Sequence, residues 1–139
     1  MEGIQLLEIE DWSQTRLAAP EAAHFTVDAD RRVVIVRFGK RVSFPEIKEY
    51  AEKLLAHPLF RPNYSEIVDL SHVEELQLDA EQFIKLADEV DPFSIEAKRA
   101  FVVNNSVQAH AARMHKVLRT QRHFSIFHSL DEADRWLRE

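Results

Sequence analysis

Four times along this chain a short β-branched or aliphatic run gives way to a capping residue and then to apolar positions at helical spacing. A strand, a helix and a further strand in one sheet require parallel neighbours joined by right-handed crossovers, so this alternation restricts the fold more than any other feature. The second strand, at 32–38, carries the run Val33–Phe38. It is followed by Ser43-Phe44-Pro45-Glu46, a capping-box start with proline in the first turn, and then by Ile47, Tyr50, Ala51, Leu54 and Leu55. His57-Pro58 stops that helix, because the residue before a proline is pushed out of the α region. The run Ser65–Leu70 precedes Asp79 and Gln82, a second capping box, with Phe83, Leu86, Ala87 and Val90 behind it and Asp91-Pro92 as the stop. Lys98–Val103 precedes Asn104, Asn105 or Ser106 as cap and the stripe Val107, Ala111, Met114 and Leu118. Phe124–Phe127 precedes Ser129 and Glu132, with Leu130, Ala133, Trp136 and Leu137.

One strand stands before the first repeat. Phe25 and Val27 alternate with Thr26 and Asp28, and Ala29-Asp30-Arg31 turns the chain, which makes a hairpin of 23–28 with 32–38. The expected order is ββαβαβαβα: an α/β fold with a five-stranded mixed, mostly parallel sheet and its helices mainly on one face. The expected core comprises Val34, Val36, Ile47, Leu54, Ile67, Val68, Phe83, Leu86, Val102, Met114, Leu118, Ile126 and Trp136. If each strand is laid beside the last, the crossovers share one face, and parallel sheets are rarely left open to water on the other. Residues 1–21 read as a segment packing on the domain formed by 22–139. Their Ile4, Leu6, Leu7, Ile9, Trp12 and Leu17 supply one expected cover, and a second copy of the chain supplies the rest, so a homodimer is expected.

Composition removes whole classes of chemistry. The chain has no cysteine, which excludes disulfides, thiolate zinc sites and a cysteine nucleophile. Its two glycines, Gly3 and Gly39, cannot make a phosphate-binding glycine loop. A net charge of -6 argues against a nucleic-acid surface. No apolar run has the length of a membrane span, and the acidic start MEGIQLLEIEDW has no signal-peptide pattern, so a cytoplasmic location is expected.

The stretch Val68-Asp69-Leu70-Ser71-His72-Val73-Glu74-Glu75-Leu76 ends the third strand in a pattern D-L-S-x-V-x-x-L. With the terminal Phe127-His128-Ser129-Leu130-Asp131-Glu132-Ala133, ending at Trp136-Leu137, it resembles the STAS domain of bacterial anti-sigma-factor antagonists. Ala112-Arg113-Met114, within Ala109–Met114, is similar to an uncharacterised bacterial subgroup of that family, related in fold to CRAL-TRIO lipid-binding domains. The resemblance runs over residues 22–138. It implies a non-enzymatic regulatory or protein-interaction module. The alternative it implies is a small binding protein for a lipid or other apolar ligand. Phosphorylated antagonists continue the motif into D-S-S-G, with the acceptor serine opening the next helix. Here the run is Gln77-Leu78-Asp79-Ala80, and no hydroxyl lies between Ser71 and Ser94. The phosphorylatable serine is absent, and Asp79 is expected to act as a helix cap and not as a phosphate surrogate.

Asp69, Ser71, His72, Asp79 and Arg113 are the candidate partner or ligand surface. Neighbours in a strand end point to opposite sides, so Ser71 and His72 make no nucleophile–base pair, and no G-x-S-x-G elbow is present. Asp69 reads as a strand-end residue bonding loop amides, and Arg113 as a flank of the third helix. His110 and His115 lie too far apart around a helix to chelate one ion, and His123 and His128 face opposite ways. No catalytic residue, metal site or cofactor is expected, and the seven histidines read as scattered surface residues. The basic pairs Arg31-Arg32, Lys40-Arg41 and Lys98-Arg99 read as solubility charges.

Overall fold

A computed structural model describes residues 22–139. Expectations placed on 1–21 lie outside the described residues. The elements are β1 (His24–Asp28), β2 (Val33–Arg37), β3 (Arg41–Ser43), α1 (Phe44–Leu55), β4 (Ser65–Asp69), β5 (Glu75–Gln77), α2 (Ala80–Lys85, continued as a π turn over Leu86–Val90), β6 (Lys98–Val102), α3 (Ser106–Arg119), β7 (His123–Phe127) and α4 (Leu130–Arg138).

Five strands form one sheet in the order β1-β2-β4-β6-β7. β1 is antiparallel to β2, and the remaining neighbours are parallel. The hairpin closes where Asp28 Oδ1 accepts from the Arg31 N–H at 3.1 Å and Arg32 takes a left-handed φ of 59°. The mixed, mostly parallel α/β sheet is the architecture that the alternation of runs and caps predicts.

Side chains alternate across each strand, so the sheet has two apolar faces of different make-up. The first face carries Val34, Val36, Val68, Phe101 and Val103, and packs against Tyr50 and Leu54 of α1 and Ala109 and Ala112 of α3. The second face carries Val33, Ile67, Ala100 and Val102, and packs against Leu130 and Ala133 of α4, with Trp136 and Phe127 rings 5.6 Å apart at its margin. This corrects the expectation that only residues 1–20 or another subunit could cover the second face. Among the described residues α4 joins β7 to no further strand of the sheet, and it folds back beneath β4, β6 and β7. Beyond α4, the second face ends at β1 on His24, Thr26 and Asp28, which are polar and tolerate water.

Three further differences have local causes. The three-residue strands β3 and β5 pair in a small separate parallel sheet, too short to carry a period. Ser43 stands at the N-cap of α1 without a side-chain cap hydrogen bond, and Glu46, expected to complete a capping box, accepts instead from the Ala23 N–H at 2.7 Å. Of the expected core, Ile47, Phe83, Met114, Leu118, Ile126 and Trp136 are only half-buried. No described helix is long and apolar enough to cross a membrane.

Candidate functional site

The first face of the sheet is not filled completely. Between β2, β4 and β6 below and α1, α2 and α3 above lies an apolar cavity of about 230 Å³. Val68, Leu70 and Phe101 rise from the sheet; Ile47 comes from α1, Phe83 and Leu86 from α2, and Ala111 from α3. Phe83 and Ile47 both line this space and are half-buried. The Ala80–Lys85 section of α2 contains no buried residue at all. The helix therefore rests across the cavity more than it packs into the body.

The cavity floor is charged. Glu66 of β4 and Arg99 of β6 sit side by side in register on the first face. Arg99 Nε donates to Glu66 Oε1 at 2.8 Å, and its Nη2 approaches Glu66 Oε1 at 2.7 Å and Asp91 Oδ2 at 2.9 Å. The guanidinium lies over the Phe93 ring, 4.5 Å from its centroid, and Nη1 donates to Gln121 Oε1 at 3.1 Å. Gln121 is in turn held by its Nε2 donating to the Ser94, Ile95 and Ala97 carbonyls. Tyr50 donates its hydroxyl to Glu66 Oε2 at 2.6 Å. Asp91 Oδ1 accepts from the Phe93 N–H, while Oδ2 also meets His115 Nε2 at 2.7 Å and Arg119 Nε at 3.6 Å.

The electrostatics follow from this packing. Burial opposes the charged form of Asp91, but Arg99, the His115 hydrogen bond and Arg119 outweigh it and hold its carboxyl below the usual carboxylate range. Burial likewise works against the Arg99 charge, and Glu66 and Asp91 more than compensate. Burial, reinforced by the Glu66 charge, pushes the Tyr50 hydroxyl well above its ordinary value. Two carboxylates are thus matched by two guanidiniums, which is how charges survive out of water. Among the described residues lining the cavity there is no serine, threonine, cysteine or lysine to serve as a nucleophile.

The residues singled out in the sequence fall elsewhere. Asp69 is buried at the end of β4 on the second face, 3.6 Å from Arg37 Nε of the neighbouring β2. Its Oδ1 accepts from both the backbone N–H and the hydroxyl of Ser71, at 2.9 and 2.6 Å, as a strand-end residue bonding a loop amide does. His72 is half-buried beside them. Asp79 caps α2: its side chain accepts from the Gln82 N–H at 2.8 Å, and Gln82 Oε1 accepts from the Asp79 N–H at 3.0 Å, a complete capping box. Arg113 is exposed on α3. Asp69 and Ser71 come together; Asp79 and Arg113 stand on other elements.

Two sequence readings change. Arg99 is no solubility charge but the centre of the buried cluster, and His115 is half-buried against Asp91 instead of scattered on the surface. A signal was present: Glu66 and Arg99 interrupt apolar runs that a parallel strand covered on both faces needs to keep apolar. Asp91 and His115 gave none, because a helix-stop aspartate and a helical histidine look alike whether exposed or buried.

No protein family's sequence model matches the chain, and no curated protein does. Solved structures do match. An uncharacterized protein of the DUF3478 family with a SpoIIAA-like fold, from Shewanella loihica PV-4, superposes with a TM-score of 0.60 at 16% identity, covering 84% of this chain and 94% of that one. An anti-sigma factor antagonist from Mycobacterium paratuberculosis superposes with a TM-score of 0.57 at 18% identity, covering 88% of this chain and 99% of that one. The fold is SpoIIAA-like, the class to which the D-L-S-x-V-x-x-L stretch and the terminal helix point.

Proposed function

We propose that this chain is a non-catalytic regulatory module that works by binding another protein, in the cytoplasm, as anti-sigma-factor antagonists are named for doing. The observation that carries the reading is the superposition on an anti-sigma factor antagonist over nearly the whole of both chains. The absence of serine, threonine, cysteine and lysine from the described cavity lining is consistent with it. Within this reading the partner surface is the end of β4, where the buried Asp69 positions Ser71 beside His72, together with the exposed Asp79 and Arg113 on neighbouring helices. Asp79 takes the place at the α2 N-terminus where the resemblance puts the serine of phosphorylated antagonists, and its carboxylate serves the capping box with Gln82, so no kinase switch operates at that position.

A second reading has its own support. The apolar cavity of about 230 Å³ is close to the lower end of ligand pockets, roughly 300 Å³, and suits a small apolar ligand. One experiment addresses both. The protein is purified from its own host and weighed by native mass spectrometry. A stoichiometric complex with a second protein supports the first reading, and its survival in Asp79→Ser at unchanged fold agrees with Asp79 as a cap alone. A small added mass released on denaturation supports the second. The bare chain alone, from cells and buffers that preserve weak complexes, counts against both.

A further inference from the structure

We infer that the cavity takes a small uncharged molecule with an apolar body and a single hydrogen-bond donor, and that the donor goes to Nδ1 of His115. The inference rests on the apolar-ligand reading and specifies its chemistry. Nearly every polar group on the floor is already engaged. Glu66 accepts from Tyr50 and Arg99, and Asp91 accepts from Arg99, His115 and the Phe93 N–H. Each guanidinium nitrogen of Arg99 has a partner. Gln108 bonds the Val73 carbonyl and the Asn104 N–H. Glu74 and Asn105, also on the lining, are exposed and keep water within reach.

His115 Nδ1 is different. His115 lines the cavity, and no hydrogen bond to Nδ1 occurs among the described residues. Its role follows from the other ring nitrogen. An ionised carboxylate only accepts, so the hydrogen in the 2.7 Å contact with Asp91 sits on His115 Nε2. In the neutral ring Nδ1 then carries a lone pair and no hydrogen. A ligand entering beside Phe101 must bring the donor. An anionic head finds Glu66 and Asp91 nearby and the Arg99 guanidinium already engaged; Arg119, whose buried Nε has no hydrogen-bond partner and lies 3.6 Å from Asp91 Oδ2, does not line the cavity. At about 30 Å³ for each non-hydrogen atom the space holds roughly eight of them, the size of a medium-chain alcohol or a small phenol.

The test titrates the isotope-labelled full chain at about pH 8, where an ordinary imidazole is neutral. The probes are octanol, heptyl methyl ether (the same size without a donor) and octanoate, followed through the Phe101 and Ala111 amides and the His115 ring nitrogens. Octanol should bind roughly three- to tenfold tighter than the ether and shift the Nδ1 resonance. His115→Leu should equalise the two while still binding the ether; the wild-type comparison stands without that variant. Equal affinities, a preference for octanoate, or an Nδ1 that is protonated in the free protein overturns the inference. If octanol and the ether bind equally, the apolar-ligand reading survives and only the donor is wrong. If none of the three perturbs the cavity amides, that reading falls as well.

Discussion

At the scale of single residues, the Glu66–Arg99–Asp91 cluster is where the chain is most sensitive. Removing one member of a buried ion pair strands the others without compensation. Arg99→Met should therefore cost about 3–5 kcal/mol, read from the urea midpoint, although methionine fits the volume. Asp91 adds a pH dependence of definite sign. Its carboxyl is held low only in the folded state, so the stability it contributes is complete above about pH 4 and is lost as the pH falls below that. Acid titration of the folded protein should be less steep in Asp91→Asn than in wild type. Asp79 behaves more simply. As an exposed cap, Asp79→Ala should lower stability by about 0.5–2 kcal/mol, whereas Asp79→Ser should be nearly neutral, because serine also caps. Met114, only half-buried, should lose less than the roughly 2–5 kcal/mol of a fully buried side chain when changed to alanine.

At the scale of elements, the sequence was legible wherever a period was long enough to repeat. The five strands of the main sheet and the three longer helices announce themselves through β-branched runs, caps at Asn105 and Ser129, and stops such as Asp91-Pro92. β3 and β5 did not, because R-V-S and E-L-Q contain one apolar residue each. Helix α2 was legible as a helix but not as the roof of a cavity: Phe83 and Leu86 have the same spacing whether they close a core or line a space. The charged cluster is illegible for the related reason that burial is a property of neighbours. Asp69 and Ser71 were legible as a strand end; Glu66 and Arg99 take their meaning from each other, across 33 positions of sequence. Element packing also sets a prediction for α4. Ala133 is fully buried against the second face, so Ala133→Leu should overpack it and cost about 1–3 kcal/mol by chemical denaturation.

At the scale of the whole molecule, α4 covers a face that the sequence led one to leave to residues 1–20 and a second copy. A second face already covered removes the physical reason for pairing through it. A chain shortened to end at His128 should expose Ile67, Ala100 and Val102 together and self-associate at micromolar concentration by light scattering, to a greater extent than the intact chain. The strand order β1-β2-β4-β6-β7 carries a consequence for how the protein is made. Each strand joins the edge left by the one before, so the sheet can be assembled in the order in which the ribosome delivers it, with no gap held open for a later strand. Its second face has no such provision. The helix that covers it is translated after all five strands, and a nascent chain carrying the complete sheet still presents a bare apolar surface. Until α4 docks, that face is where a folding chain is most prone to self-associate.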